Sequence, residues 1–275
     1  MFPAIGYAIR EQNRTLLGDS DVDAAEITFE RADDPLRIAR YIGDDDFAYV
    51  SVHALKLSVA SPDPPGLKYL SPLKDIAHEN GACAISDHLG FTRDGEDGIE
   101  LPHFAPPPFT PTALDAVCRN IEFIQTYFGD LPFFVENIAY FFRFEGVWTE
   151  AEFLARVLQR TGCGLLLDVT NVYANALNHG YDPHEFIAET LDAAERVQMH
   201  LAGGHLDQRS GLYIDSHSRP VPQSVWDLYR YALELAGDKV EAVFLERDQN
   251  YPGESEWRRE IRQARRIAEE RGVRS

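Results

Sequence analysis

The chain has 275 residues, 44% hydrophobic and 26% charged, enough to bury a sizeable core as one α/β barrel or two smaller domains. Its formal net charge of −19 repels phosphate backbones and argues against a nucleic-acid partner. No apolar run is long enough to span a bilayer, and the opening MFPAIGYAIREQN lacks a basic segment followed by a long apolar one, so a cytoplasmic protein with no membrane partner is expected.

Short apolar runs alternate with longer amphipathic ones along the chain. The runs predict strands over 3–9, 24–30, 47–53, 82–88, 132–136, 164–168, 197–201 and 240–246. Helical spacing predicts helices over 67–79, 111–128, 149–160, 183–195, 224–236 and 254–271, with a poor helix at 10–21 and a short one at 35–42. Strand and helix alternating eight times is the pattern of a (β/α)8 TIM barrel, here a single domain over 1–275. A doubly wound open sheet is the alternative, weakened because no GxGxxG turn follows the first strand. Two Pro-rich loops, 61–66 and 101–111, follow strand ends and are expected to stiffen the rim of the active face. Cys83, Cys118 and Cys163 form no CxxC pair and read as reduced core residues. The basic run near the end has helical spacing with acids interleaved, the pattern of a solvated helix.

The chemistry sits where the strands stop. The third strand ends in SVH with His53, the fourth in ISDH with His88, the fifth in FFVEN with Glu136. The sixth ends in LLLDVTN with Asp168 and Asn171, and the seventh in QMHLAGGH with His200 and His205. IDSH follows with Asp215 and His217, and the eighth strand ends in VFLERDQN with Glu246, Asp248 and Asn250. Each alone has a plainer reading: Asp168 as the cap of the next helix, His53 as a core histidine, Asp215 to His217 as a polar turn. Strand tips of a barrel converge on one mouth, so their repetition points to a metal centre. Imidazole and carboxylate donors suit zinc, iron or manganese, and a Glu shared by two cations relieves carboxylate repulsion. Asp87, His205, Asp248 and Asn250 are expected to orient ligands or meet substrate. Arg219 and Arg247, cations near the mouth, are candidates for holding a substrate carboxylate. His78, His103 and His184 read as surface residues, and His179 as a helix C-cap.

The segments SVHALKLSVAS, ISDHLGF, VENIAYF, GCGLLLDVTNVYANALNHGYDP, HLAGGH, IDSHSRPVP and LERDQN resemble the multinuclear non-heme iron-dependent oxidases (MNIO), in particular the methanobactin-type and thiaglutamate-type peptide-modifying enzymes. The resemblance implies a TIM barrel holding two or three irons. By motif, His53, His88 and Glu136 would hold one iron, and Glu136 would bridge to a second completed by Asp168, His200 and Glu246. Asn171, Asp215 and His217 would form a third site, weakened by the neutral amide. Glu136, Asp168, His200 and Glu246 would then be the catalytic set. The resemblance further implies biosynthesis of ribosomally made, modified peptides (RiPPs): O2 as co-substrate, a precursor peptide modified most often at cysteine, and a small partner protein that presents its leader. The eight strand–helix units account for the chain, so that partner is expected to be a separate polypeptide. The ligand order is also similar to that of xylose-isomerase-like sugar enzymes and apurinic endonucleases, which keeps a metal-dependent hydrolase or isomerase as the alternative. A non-catalytic metal-binding subunit is the third. The acidity argues against the endonuclease, and the only strand-end lysine available to an isomerase is Lys56.

Overall fold

In the computed structural model, which describes residues 2–31, 47–93 and 99–272, eight parallel strands close into a barrel. In chain order they are β1 (Ala4–Ala8), β2 (Ala24–Thr28), β3 (Tyr49–His53), β4 (Ala84–His88), β7 (Phe133–Glu136), β8 (Gly164–Asp168), β9 (Val197–Leu201) and β12 (Val240–Leu245). The numbers skipped belong to two antiparallel hairpins outside the barrel: β5 (Phe91–Arg93) with β6 (Glu100–Ala105), and β10 (His205–Leu206) with β11 (Tyr213–Ile214). Each of the eight predicted strands is present, one or two residues shorter at some ends. Helices cover the outside: α1 (Leu67–Glu79), α2 (Pro111–Phe128), α3 (Glu150–Thr161), α4 (Val169–His179), α5 (Pro183–Ala193), α6 (Gln223–Ala236) and α7 (Glu254–Gly272). No described helix is long and apolar enough to cross a membrane.

Four expectations need correction. The predicted helix at 10–21 is only a 3-10 turn over Glu11–Leu16, and the one at 35–42 lies outside the described residues. Residues 101–105 of the second Pro-rich segment are not loop but strand β6. Helix α4 was not separated from the strand before it, because no loop intervenes. Asp168 ends β8 and is at once the N-cap of α4, its Oδ1 accepting from the Asn171 N–H at 2.7 Å. The cap at the other end is Gly180 (φ 75°), while His179 instead stacks on Tyr140 and bonds its carbonyl.

Alternate residues of each strand face into the barrel. Ala24, Ala242 and Phe244 pack in one inner cluster, and Ala84, Phe134 and Leu166 in another, with Tyr49 against both. Further along the strands the filling changes from apolar to ionisable: two residues on for β2, β7, β8 and β12 (Glu26, Glu136, Asp168, Glu246), and four on for β3 and β4 (His53, His88). Register pairs His88 with Glu136 across β4 and β7, and Asp168 with His200 across β8 and β9. Strand pairing thus places the ligand-type side chains in one layer at the C-terminal mouth.

Candidate metal centre

Glu136 lies at the middle of this layer and is 2% exposed. Its Oε2 is 3.4 Å from His53 Nε2 and 3.5 Å from His88 Nε2, while Oε1 is 3.6 Å from Nδ1 of His200. One carboxylate therefore presents its two oxygens to two groups of imidazoles. Each imidazole is aimed from behind. Ser86 Oγ is 2.9 Å from Nδ1 of His53, and Asp87 lies 3.3 Å from Nδ1 of His88 while accepting from the Leu57 N–H. Phe104 of β6 stacks on the His88 ring at 3.8 Å.

The deeper half is built on His200, whose Nε2 is 2.9 Å from Oε2 of the fully buried Glu26. Its Nδ1 lies 3.1 Å from Glu246, within ion-pair distance but not aligned as a hydrogen bond. Asp168 uses Oδ1 for the cap and leaves Oδ2 without a partner. The cap and ligand readings of Asp168 are thus compatible, one for each oxygen. His217 sits 2.9 Å from Asp215, 3.2 Å from Asp248 and 3.6 Å from Glu246. Its loop is fastened to Gly203, whose carbonyl accepts from the N–H groups of Ser218 and Arg219.

Ligand-type atoms fall within 4.8 Å of one another in four groups: His53, His88, Glu136; Glu136, Asp168, His200; Asp168, His217, Glu246; and Glu26, His200, Glu246. The nine expected metal-ligating residues come together in this region. Asp215 falls outside those four groups, yet it and Asn171 line the same cavity of about 560 Å³ as His217. Whether these residues fit metal ions is tested by their unused atoms. Glu26 Oε1, Glu136 Oε2, Asp168 Oδ2, Asn171 Oδ1, His200 Nδ1 and Asp215 Oδ1 are buried and accept or donate no hydrogen bond. Buried polar atoms are nearly always paired, and a cluster of six at one place calls for cations. The donors are oxygen and imidazole nitrogen, which suits iron, manganese or zinc. Cys118 and Cys163 are buried in the main apolar core, and Cys83 is exposed.

The charge balance leads the same way. Burial alone would raise the Glu136 carboxyl, but the His88 and His200 imidazoles outweigh it and hold it down at about 2. Burial would likewise lower His200 and His217, yet the facing carboxylates push both well above the usual histidine range. His53, where desolvation dominates, is pushed down to about 3. Asp168 is pushed well up, first by burial and then by Asp215 and Glu136. So many carboxylates facing imidazoles in one buried layer call for positive charge, which metal ions held there would supply.

Sequence reasoning missed two residues. Glu26 is in the interior of β2 rather than at its tip. Arg10 lies two residues past β1, is 5% exposed, and holds Asp248 at 2.8 Å and Glu246 at 3.6 Å. Arg31, 45% exposed in its side chain, also holds Asp248 at 2.8 Å. Strand parity was the available signal, since both missed residues share the inward set of their strands. Parity also corrects Arg247. It follows inward Glu246 and so points outward, where it is buried against Glu256, Glu260 and the Trp257 ring. Arg219 and Asn250 are exposed and outside the cavity lining, whereas Asp248 is within it. His103 is exposed and lines the cavity; His205 is exposed and bonds Ser216. The 61–66 loop does not reach the cavity.

The profile of a family described as RiPP precursor modification enzyme MbnB/TglH/ChrH matches residues 21–269. A UPF0276 protein of Rhizorhabdus wittichii is 41% identical over 219 residues, covering 80% of this chain and 76% of that one. A UPF0276 protein of Bordetella pertussis is 40% identical over 208 residues, covering 74% and 70%. Among solved structures, endonuclease IV of Thermus thermophilus superposes with a TM-score of 0.61 at 18% identity, covering 98% of this chain and all of that one (100%). D-psicose 3-epimerase of Clostridium cellulolyticum superposes with a TM-score of 0.56 at 10% identity, covering 98% and 96%. At such identities the structural likeness establishes the barrel and nothing about the reaction.

Proposed function

Because the chain belongs to the MbnB/TglH/ChrH family of RiPP precursor modification enzymes, we propose that it is an iron-dependent oxidase that uses O2 to modify a precursor peptide at cysteine, with the leader presented by a separate small partner protein. The observation that supports a metal centre is the cluster of six unpartnered buried donor atoms around Glu136 and His200, and the family resemblance suggests iron as the metal. The family supplies the peptide. Iron, when bound, would supply a change of oxidation state and open coordination positions for substrate and O2. His53, His88 and Glu136 would hold one ion; Glu136, Asp168, His200 and Glu246 a second; and Asn171, Asp215 and His217 a third.

The chain's own residues prepare the site in three ways. Ser86, Asp87 and Glu26 fix the ring orientations of His53, His88 and His200 from behind. Arg10 and Arg31 hold Asp248 at the rim and offset acidity that would otherwise repel an anionic thiolate. Phe104, Phe141 and Phe142 give the cavity apolar walls that shed water around the reacting side chain. The cavity has the volume of a pocket for a few residues rather than for a folded protein.

The test is to purify the chain without chelator, determine its metals, and co-express it with short cysteine-containing peptides encoded beside its gene. Two to three irons per chain and an O2-dependent mass change in a peptide are expected, by the family's pattern. Activity restored by zinc alone, without O2 uptake, would replace the oxidase with the hydrolase or isomerase reading.

A further inference from the structure

Beside the metal cavity lies a second groove of about 720 Å³, and the two share Tyr140 in their walls. Between them runs the 137–149 loop, where Phe141, Phe142, Phe144 and Val147 are 49–69% exposed. Phe141 and Phe142 line the metal cavity, and Phe144 and Val147 line the groove. The Phe142 and Phe144 rings meet edge to face at 5.6 Å. Scattered exposed apolar residues are normal, but four within seven positions at the mouth of a site mark a contact surface.

The groove is also acidic, with Glu145 on the loop itself, Glu152 on α3, and Asp182, Glu185 and Glu189 at the start and along one side of α5. Asp182 caps α5 by accepting from His184, and Glu152 closes the capping box of α3 by accepting from Thr149. Glu145, Glu185 and Glu189 form no ion pair among the described residues. Glu185 and Glu189 lie one turn apart on α5 and so share a face. Arg143 is the one cation among the lining residues. Arg156, stacked on the groove-lining Trp148, offsets part of the Glu189 charge, while Glu145 and Glu185 are left without an ion pair among the described residues. An apolar strap beside these carboxylates suits a cation carried on an apolar stem, as in lysine or arginine.

We propose that this groove holds a basic side chain of the precursor peptide close to the residue being modified, with the Phe141–Phe144 strap supporting the backbone between. This rests on the peptide-modifying reading above. The peptide is the occupant because a residue in the metal cavity carries backbone on both sides. An end leaving past Tyr140, which lines both cavities, would meet the strap first.

The experiment uses two fluorescein-labelled synthetic peptides of equal length, identical except for lysine or glutamate beside a central cysteine. Binding to the metal-loaded full chain is followed by anisotropy. The lysine peptide is expected to bind about tenfold more tightly, the effect of two modest ion pairs together. Glu185→Lys with Glu189→Lys abolishes that preference. A control with Glu79→Lys and Glu122→Lys, remote and exposed but of equal charge change, retains it. Phe144→Ser weakens both peptides. Equal weakening in the control, no preference in the parent chain, or binding of neither peptide overturns the proposal. Mass change on co-expression is read separately. If modification persists while the charge preference is absent, only the groove assignment falls; if no peptide is modified, the peptide-modifying reading falls.

Discussion

Oε2 of Glu26 lies 2.9 Å from Nε2 of His200, and neither side chain has any exposed surface. If Glu26 accepts the Nε2 proton, the His200 lone pair is directed from Nδ1 toward Glu136 and Glu246. A carboxylate behind an imidazole is the usual support for a metal-bound histidine. Glu26→Ala should lower metal affinity by ~10–100-fold. Glu26→Gln, whose amide oxygen can still accept, should lose less. Competition with a metal chelator measures both, and unchanged affinity in the alanine variant would remove the orienting role.

Glu136 offers one oxygen to His53 and His88 and the other to His200, so its loss should be felt on both sides. Glu136→Gln should reduce bound metal more than Asn171→Ala, and by at least the ~10-fold typical of losing a supporting group alone. Elemental analysis of the two variants decides. A larger loss from Asn171→Ala would show that Glu136 does not bridge.

At Gly203 an added Cβ would lie 2.2 Å from the Pro220 carbonyl oxygen and 2.3 Å from that of Arg219. The loop carrying Asp215 and His217 would have to lift. Gly203→Ala should cost roughly 1–3 kcal/mol of stability, the usual effect of overpacking. It should also deplete metal at the Asp215–His217 end while sparing the His53–His88 end. A chain with unchanged melting and metal content would contradict the tight fastening of that loop.

Glu150 lies under the second groove, where burial pushes its carboxyl up to about 8 while the Tyr140 hydroxyl donates to it at 2.9 Å. The folded chain therefore keeps a proton that the unfolded chain releases near its ordinary value of 4.5. The linked stability is fully present below about pH 4.5 and is lost as pH rises toward 8. The total is at most about 5 kcal/mol. Glu150→Gln should flatten this slope and be the more stable form at pH 8. Denaturant titrations across that range would show it, and parallel pH profiles for the two chains would refute it.

The barrel was legible because each core strand is a short apolar run and each helix an amphipathic one. Six of the helices follow directly from periodicity, whereas α4 is hidden because its cap is the last residue of β8. The β10–β11 hairpin escaped notice since its strands have only two residues each, too few for any periodicity, and β6 was hidden because Pro102 and the prolines after it read as loop. Among site residues, strand tips were readable because a polar residue ends an apolar run. Glu26 interrupts its run instead of ending it, and Arg10 follows one at a distance. Both needed the inward–outward alternation, which also would have turned Arg247 away from the mouth.

Helix α4 is joined to the mouth at both ends. At its start Asp168 faces the His200 group, and near its end Asn178 exchanges two hydrogen bonds with the backbone of Tyr213, at 2.8 and 2.9 Å. Tyr213 stands two residues before Asp215. This strut, about 16 Å long, ties the deep donors to the shallow ones. A displacement imposed at Asp168 by filling or emptying the deep position would be passed along this helix to the strand that sets Asp215. The amide protons of α4 are thus a gauge of both positions, and their exchange rates would report filling of either from within one element.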